Sequence, residues 1–324
     1  MSNNNIIKVV CIGGGSGLSH FVKGIKDIEN IELKCIVTVA DNGGSSGMLK
    51  EELNIPAVGD IRNVLLSLAN VPDDLEMLMN YRFKDGSLSN HSLGNLILAG
   101  LVQSFDGDIE EAITSLSSIF NVRGKIIPSI AGTVDIKATL KDNSEVYGES
   151  QIGLSKDIQT IEYLTPVEAT CDSVNAILDA DILVYSIGSL YTSLIPNLII
   201  PEIKEAIEKT RARKLYFANL MSQPGETDNY SLSEHVDAIN NHLGFDGIDV
   251  IIINNQRISK RVLDLYQEKG AYPLANDFLN LKSKANILRY DIAKVEGDRV
   301  MHSPDKLHKL FTKDIKCLFQ ETLK

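Results

Sequence analysis

Short apolar runs alternate with amphipathic segments at the start of the chain. Residues 6–12 form an apolar run rich in β-branched residues, which predicts a buried strand. Residues 18–28 then carry apolar side chains at helical spacing, and residues 33–40 predict a second buried strand. A glycine-rich segment follows each strand directly. This succession predicts the opening of a doubly wound α/β sheet.

The middle of the chain departs from this rhythm. Residues 60–120 are predicted to be mostly helical, with Asp60 and Ser92 as helix caps. Residues 125–165 instead contain short strand-like pieces, two of them joined by a turn at residues 142–143. We therefore expect a small antiparallel β excursion at about 125–165, inserted into a mainly parallel sheet.

From residue 174 onward, helical and strand-like segments alternate again. Residues 186–197 and 222–230 are predicted to be loops, and residues 305–323 are predicted to be a closing helix. Neither an internal repeat nor a long linker divides the sequence. The pattern therefore predicts one α/β domain over residues 1–324.

Composition and charge narrow the functional classes. Hydrophobic residues make up 44% and charged residues 23% of the 324 positions, which is typical of a globular protein. The formal net charge of −11, without a basic block, argues against binding of nucleic acid or acidic membranes. Binding of a phosphorylated small molecule stays compatible with this net charge, because backbone N–H groups can hold phosphate without net positive charge.

The cysteines and the hydropathy point to a cytoplasmic protein. The four cysteines lie far apart and form no Cys-x-x-Cys pair, so neither a zinc ribbon nor a disulfide framework is indicated. The N-terminus lacks the basic segment of a signal peptide, and we expect no membrane span.

The first glycine-rich turn is a candidate phosphate site. Ligands of open parallel sheets bind outside the carboxyl ends of the strands. Free N–H groups and a helix dipole at such a turn favour an anion, and a serine adds a hydroxyl donor. The turn matches neither the dinucleotide fingerprint nor the P-loop, and a tight turn for helix packing is the alternative. Its residues are Gly13, Gly14, Gly15, Ser16 and Gly17.

A second polar segment follows the second strand. Asp41 stands where an acidic residue often meets a ribose hydroxyl or a divalent metal, and a helix cap in a flexible loop is the alternative. Small and polar neighbours that line a ligand would be Asn42, Gly43 and Ser45.

Two helix starts carry further candidates. Asp60 is a candidate either for catalysis or for a simple N-cap. Arg62 is unfavourable in a first helical turn unless it meets an anion or a carboxylate, and Asn63 follows it. His91 and Asn95 open another predicted helix, where a lone histidine is more often structural than catalytic.

Two later strand ends add hydroxyl and amide groups. Gly188, Ser189 and Tyr191 suit phosphate or sugar recognition after one strand. The segment after the next strand carries amide, hydroxyl and carboxylate groups that can hydrogen-bond a base or sugar, although residues 224–225 also read as a plain turn. These groups belong to Asn219, Gln223, Thr227 and Asp228.

These motifs, taken together, resemble a known family. The segments 13–18, 37–47, 59–63, 91–95, 188–193 and 219–228 look like the motifs of the YvcK-type gluconeogenesis factors, which are grouped with the CofD-like 2-phospho-L-lactate transferases. The resemblance implies a Rossmann-like, three-layer α/β/α fold and a nucleotide-linked ligand. For the YvcK branch it implies UDP-N-acetylglucosamine and a role in cell shape and envelope homeostasis during gluconeogenic growth.

The transferase branch implies a different activity. Its members transfer a phospholactyl group from a nucleotide donor with a divalent metal, so that Asp41 and Asp60 would be catalytic, Asp41 would bind the metal, and Mg²⁺ would be the cofactor. A third reading is a scaffold for protein partners with a vestigial pocket. The oligomeric state is left open, with a homodimer among the alternatives.

The chain departs from the family pattern at three places. Asn42 stands where a second aspartate is usual, which weakens a two-carboxylate metal site. Ser186-Ile187 replace a Gly-Pro pair, and Met301 stands where an arginine is usual.

Overall fold

The computed structural model describes residues 6–314, and a seven-stranded parallel sheet lies at the centre of this part of the chain. The strands, in chain order, are β1 (Ile7–Gly13), β2 (Ile31–Val37), β3 (Lys125–Pro128), β4 (Ile136–Leu140), β5 (Glu145–Tyr147), β6 (Ile158–Tyr163), β7 (Ile182–Tyr185), β8 (Arg213–Phe217), β9 (Val250–Asn254), β10 (Asn286–Tyr290), β11 (Ala293–Glu296) and β12 (Arg299–His302). The order in the central sheet is β10-β9-β8-β7-β1-β2-β3. Each neighbouring pair in it is parallel, as predicted.

Helices cover the two faces of this sheet. They are α1 (Gly15–Ile25), α2 (Gly44–Leu53), α3 (Gly59–Leu68), α4 (Asp73–Asn80), α5 (Leu93–Ser104), α6 (Ile109–Ile119), α7 (Glu149–Ile152), α8 (Cys171–Leu178), α9 (Ile195–Leu198), α10 (Pro201–Lys209), α11 (Leu232–Leu243), α12 (Lys260–Gln267) and α13 (Pro304–Lys313). None of the helices in residues 6–314 combines the length and hydropathy that crossing a membrane requires.

The apolar runs become strands because both faces of the sheet are covered. The carboxyl-terminal part of β1 is fully buried, which explains its unbroken apolar sequence. On one face, Phe21 of α1 packs edge-on against Phe217 and Phe311, with ring centroids 4.8 and 5.7 Å apart. This contact joins α1 to β8 and to α13.

The strand order places a ligand crevice at one end of the sheet. β1 pairs with β2 on one side and with β7 on the other, so the chain leaves β1 in one direction and returns on its opposite edge. Such a topological switch point opens a crevice outside the carboxyl ends of the strands. The segments after β1 and β7 therefore meet there.

The predicted β excursion is confirmed as a small antiparallel sheet, but it begins only at β4, because β3, which the prediction included, pairs in parallel with β2 in the central sheet. The order of the small sheet is β5-β4-β6, and the β4–β5 turn contains Asn143 at a φ of 67°, a conformation that asparagine tolerates. The α/β class with a mainly parallel sheet is likewise confirmed. The single-domain organisation stays a prediction.

Several local predictions need correction. Residues 186–197 are not simply a loop, because a π-helical turn (Leu190–Leu194) and α9 lie within them. Asp60 is not an N-cap but lies inside the first turn of α3, and α2 already begins at Gly44. The hairpin β11–β12 and the short helix α7 were not anticipated. The closing helix is confirmed from Pro304 to Lys313. Residues 315–323 of the predicted helix, which include Cys317, lie outside the described residues.

Candidate functional site

A cavity of about 750 Å³ opens at the carboxyl ends of β1, β7 and β8. Its size suits a nucleotide-sized ligand. Most of its wall comes from four segments and from α12. The four segments are 14–17 at the start of α1, 187–189, 219–221, and 298–302, which includes β12.

The first glycine turn opens the N-terminus of α1 toward this cavity. Gly14 is extended, with a φ of −169°, and α1 begins at Gly15, whose φ of 59° lies in the left-handed region that favours glycine. Gly14 has no side chain to cap this end of the helix, and the Asp60 carboxylate accepts a hydrogen bond from the Gly15 N–H. The other N–H groups of the first turn and the helix dipole favour an anion in the cavity.

The turn is packed backbone to backbone against the segment that follows β7. An added Cβ on Gly17 would lie 1.9 Å from the carbonyl oxygen of Ile187 and 2.7 Å from the Cα of Gly188. On Gly13 it would lie 2.1 Å from Ser186 Oγ. Since real Cβ atoms do not approach a backbone this closely, Gly17 requires glycine and holds the two segments in one wall, whereas at Gly13 the Ser186 side chain would have to move.

A second helix start faces the same cavity. The Ser189 hydroxyl accepts a hydrogen bond from the Thr192 N–H at 2.9 Å and so caps the helical segment that begins at Leu190. Glu226 adds to this cap from another loop, because its carboxylate accepts from the backbone N–H groups of Tyr191 at 2.7 Å and Thr192 at 3.0 Å. Burial raises the pKa of Glu226 to about 7, against its hydrogen bonds to Ser189 and the two amides.

Three carboxyl groups also line the cavity. Asp41 Oδ1 accepts from the Gly43 N–H at 2.8 Å, at the start of α2. Burial and the neighbouring Asp41 carboxylate together raise the pKa of Asp60 to about 7, against a backbone hydrogen bond from Gly15. Burial and Asp41 also raise the pKa of Glu149, which begins α7. The three groups thus form an acidic wall close to the start of α1.

Asp60 makes stability depend on pH in a defined direction. Its pKa is 3.8 in a model peptide and about 7 in the fold, so the folded state binds this proton more tightly than the unfolded chain. Its contribution to stability is fully present below about pH 4 and is lost as the pH rises toward about 7. We expect Asp60→Asn to raise the free energy of unfolding by about 2 kcal/mol near pH 8, and by much less near pH 5.

Urea unfolding at the two pH values measures this effect. Asp106→Asn is the matched control, because Asp106 is exposed and its φ of 53° suits asparagine equally well. An equal gain for Asp60→Asn at both pH values, or a gain matched by the control, would contradict the assignment.

The structure brings many of the predicted site residues to the cavity wall. The predicted residues that line it are Gly14, Gly15, Ser16, Gly17, Asp41, Asp60, Gly188, Ser189, Asn219 and Gln223. The other predicted residues do not line it, namely Gly13, Asn42, Gly43, Ser45, Arg62, Asn63, His91, Asn95, Tyr191, Thr227 and Asp228. The ligand contacts of both groups stay predictions.

Several residues behind the wall form a buried polar cluster. The Ser45 hydroxyl lies 3.1 Å from His91 Nδ1 and accepts from Asn95 Nδ2 at 3.1 Å, which joins α2 to α5. Arg62 donates to Asn80 at 2.8 Å, so its partner is an amide rather than the anion or carboxylate expected from the sequence. This cluster supports the segment that carries Asp41.

The remaining predicted residues tie loops together. Asn219 donates from Nδ2 to the Gly188 carbonyl at 2.9 Å, and the Thr227 hydroxyl accepts from the Gln223 N–H at 2.9 Å. Asp228 forms an ion pair with Lys156 at 2.7 Å. The loop after β8 is thereby fastened both to the loop after β7 and to the segment that precedes β6.

Part of the wall could not be found from sequence motifs. Glu149 belongs to the β excursion, and Thr192 lies in the segment predicted as a loop. Tyr266 of α12 and the β11–β12 hairpin close another side, where the Tyr266 hydroxyl accepts from the Val300 N–H at 2.8 Å. Met301, one of the departures from the family pattern, lines the cavity in this hairpin.

The same wall contributes positive charge. Lys269 follows α12 and Arg299 begins β12, and both line the cavity. Arg299 is thus a cation close to the position where the family usually has its arginine. No sequence motif singled out either residue.

The side chains that line the cavity fit a magnesium ion only if a phosphorylated ligand also coordinates it. Within residues 6–314, no three His, Cys, Asp or Glu side chains are grouped as a protein metal site requires. Mg²⁺, however, is commonly held by one or two carboxylates together with ligand phosphates and water. Asp41 therefore fits an ion that a phosphorylated ligand brings, rather than one bound by the protein alone.

Fold and cavity together define an α/β protein with a glycine-lined crevice at the switch point of its parallel sheet. The family model described as 2-phospho-L-lactate transferase CofD matches residues 9–293, and the chain belongs to this family. It is 40% identical over 308 residues to the gluconeogenesis factor of Bacillus subtilis (strain 168), covering 94% of this chain and 96% of that protein.

Two further relatives agree with this assignment. The gluconeogenesis factor of Halalkalibacterium halodurans is 42% identical over 304 residues, covering 92% of this chain and 94% of that protein. A crystal structure of a Bacillus halodurans protein superposes with a TM-score of 0.91 at 38% identity, covering 95% of this chain and 99% of that chain. The resemblance to gluconeogenesis factors expected from the motifs is therefore confirmed.

Proposed function

We propose that this protein is a cytoplasmic factor that binds a nucleotide sugar of the UDP-N-acetylglucosamine type. The observation that carries the proposal is the start of α1, whose first turn opens onto the cavity beside the segment 187–189 that follows β7. The N–H groups of Ser16 and Gly17 and the positive dipole end suit a phosphate, whereas the N–H groups at the second helix start are already bound by Ser189 and Glu226.

The rest of the cavity suits the other parts of such a ligand. Amides of Asn219 and Gln223 can hydrogen-bond a base or sugar, and Lys269 and Arg299 add positive charge near the diphosphate. The relatives named gluconeogenesis factors support a role in growth on gluconeogenic carbon sources. By this proposal, nucleotide-sugar binding regulates cell shape and envelope homeostasis under those conditions.

Isothermal titration calorimetry tests the ligand. UDP-N-acetylglucosamine is titrated into the protein, with UDP, GDP and ADP as comparison ligands. We expect saturable binding of UDP-N-acetylglucosamine, tighter than that of the other bases. Absence of binding with every nucleotide would refute the proposal and would leave a scaffold for protein partners as the better reading.

A second candidate function is a Mg²⁺-dependent transferase with a nucleotide-linked donor. The CofD family and the position of Asp41 at the acidic wall favour it. In this reading Asp41 and Asp60 flank the reacting groups, and Mg²⁺ bound by Asp41 and the donor phosphates would neutralise charge that develops on the leaving group.

Asp41→Asn separates binding from turnover. We expect Mg²⁺ to strengthen nucleotide-sugar binding to the unaltered protein by about tenfold, and this gain to be lost in Asp41→Asn, since a carboxylate ligand to the ion is removed. Titrations with Mg²⁺ and with EDTA measure it, and Asp106→Asn is the control. An unchanged Mg²⁺ effect would contradict the role of Asp41. Product formation from a nucleotide donor, abolished in Asp41→Asn, would establish the transferase.

A further inference from the structure

His20 brings an accessible imidazole ring to the cavity. It lies one turn after Ser16 on α1, is half-buried, and lines the cavity. Its Nδ1 lies 2.6 Å from the Ser16 carbonyl oxygen. Because a carbonyl oxygen only accepts hydrogen bonds, Nδ1 must carry the hydrogen and donate it. The ring is therefore held over the first turn of α1, although no sequence motif singled out this residue.

The hydrogen bond to Ser16 fixes which ring nitrogen is available to a ligand. The two nitrogens of an imidazole point away from each other, so Nε2 of His20 points away from the helix backbone. Within residues 6–314, the bond from Nδ1 is the only hydrogen bond of this ring. With its hydrogen on Nδ1, the neutral ring offers a bare acceptor at Nε2, and only the protonated ring offers an N–H there. The charge of His20 thus decides whether Nε2 accepts or donates.

A phosphate at the start of α1 requires the donating form of His20. The oxygens of an ionised phosphate are acceptors, so they oppose a bare Nε2 and attract an N–H. An imidazolium forms a charge-assisted hydrogen bond with such an oxygen, and the nearby negative charge in turn favours the protonated ring. The N–H groups of Ser16 and Gly17 belong to the turn over which the ring is held. A phosphate bound to them is therefore within reach of Nε2.

We propose that His20 is a proton-dependent binding residue for the phosphate of the ligand. When the phosphate binds at the first turn of α1, Nε2 takes up one proton from solvent and donates the new N–H to a phosphate oxygen. One N–H bond forms, and no bond of the ligand breaks. This inference rests on the proposed function, because it needs a phosphorylated ligand, and it adds that the affinity of the site falls as the pH rises.

Other charged groups around His20 contribute their own pH dependence. Glu296 and His302 interact electrostatically with the His20 ring. The pKa values of Asp60 and Glu226 are raised to about 7, so these groups titrate in the same range. The role of His20 therefore has to be measured as a difference between the unaltered protein and a His20 variant. The further charged side chains on α1 itself, on the cavity wall and on the neighbouring α13 are Lys23, Lys269, Asp298, Arg299 and Asp305.

Nitrogen-15 NMR of the histidine-labelled protein tests the hydrogen positions directly, and His20→Gln assigns the signals. Near pH 9, above the range in which imidazoles normally titrate, we expect the ring hydrogen on Nδ1. At pH 7, saturation with UDP-N-acetylglucosamine in the absence of Mg²⁺ should raise the protonated fraction of His20 about twofold or more. A ring hydrogen on Nε2 at high pH, or an unchanged fraction at saturation, would overturn the proposal.

Calorimetric titration measures the consequence for affinity. Between pH 6 and pH 8 we expect the affinity for UDP-N-acetylglucosamine to fall, and the fall to be about fivefold smaller in His20→Gln. The diphosphate diester does not itself titrate in this range. His308→Gln is the matched control, because His308 is exposed on α13 and should leave the full pH dependence in place. An equal fall in the unaltered protein and in His20→Gln would contradict the role of His20.

Sulfate separates a failure of this inference from a failure of the proposed ligand. It is an anion of phosphate-like shape without a proton to lose in this range, and sodium chloride of equal ionic strength is its blank. Protonation of His20 by sulfate, without any binding of UDP-N-acetylglucosamine, would refute the nucleotide sugar and leave the His20 proposal standing. If neither anion raises the protonated fraction of His20, the His20 proposal is overturned, even where the nucleotide sugar binds.

Discussion

Gly17→Ala is expected to weaken nucleotide-sugar binding by at least about a hundredfold and to destabilise the fold by about 3 kcal/mol. The added Cβ would lie 1.9 Å from the Ile187 carbonyl oxygen, where backbone, rather than a flexible side chain, must move. The N-terminus of α1 and the segment after β7 would separate, and a diphosphate could no longer contact both of these segments. Calorimetric titration and urea unfolding measure the two effects.

Gly100→Ala is the matched control for this substitution. Gly100 lies within α5, and an added Cβ there has no neighbour within 4 Å. Alanine favours a helix over glycine, so this variant should be up to about 1 kcal/mol more stable and should bind normally. Unchanged affinity in a folded Gly17→Ala protein would contradict the role of the backbone contact.

Glu226→Ala is expected to cost about 3 kcal/mol of stability and most of the binding affinity. The side chain is fully buried, and its Oε1 accepts the N–H groups of Tyr191 and Thr192 together with the Ser189 hydroxyl. Alanine would leave these donors buried without an acceptor, so the helix start at Leu190 would lose its anchor.

Glu226→Gln distinguishes this hydrogen-bonding role from a role of the charge. Glutamine keeps an acceptor oxygen for the two amides, and we expect it to cost about 1 kcal/mol or less. Urea unfolding near neutral pH compares the two variants. Equal destabilisation by alanine and glutamine would show that the negative charge, and not the acceptor geometry, maintains the segment.

The sheet could be predicted because its strands are buried on both faces. Residues 6–12 and 33–40 are apolar runs interrupted only by Lys8, Lys34 and Thr38, and a parallel, covered strand requires such a run. The helical segment at Leu190–Leu194 could not be predicted in this way. Its start depends on Glu226, which lies more than thirty residues further along the chain. Local helix propensity does not reveal a hydrogen-bond acceptor that is so distant in the sequence.

The site was predictable where it follows strand ends and unpredictable where distant elements fold over it. Residues 14–17 and Gly188 could be placed at the cavity because parallel strands bring their carboxyl ends to one edge of the sheet. Glu149 lines the cavity only because the start of α7, which follows β5, is held near the segment after β2 by a hydrogen bond from the Ser150 N–H to Asn42 Oδ1 at 2.9 Å. The sequence also could not predict how Arg62 is accommodated in the first turn of α3. Its guanidinium donates to Asn80, and its side chain packs against Gly94.

A crystal structure of the protein with UDP-N-acetylglucosamine tests the central proposal most directly. We expect the diphosphate to lie between the first turn of α1 and the helix start at Leu190, with its oxygens within hydrogen-bonding distance of the N–H groups of Ser16 and Gly17. A diphosphate bound elsewhere, with these amides facing only solvent, would contradict it.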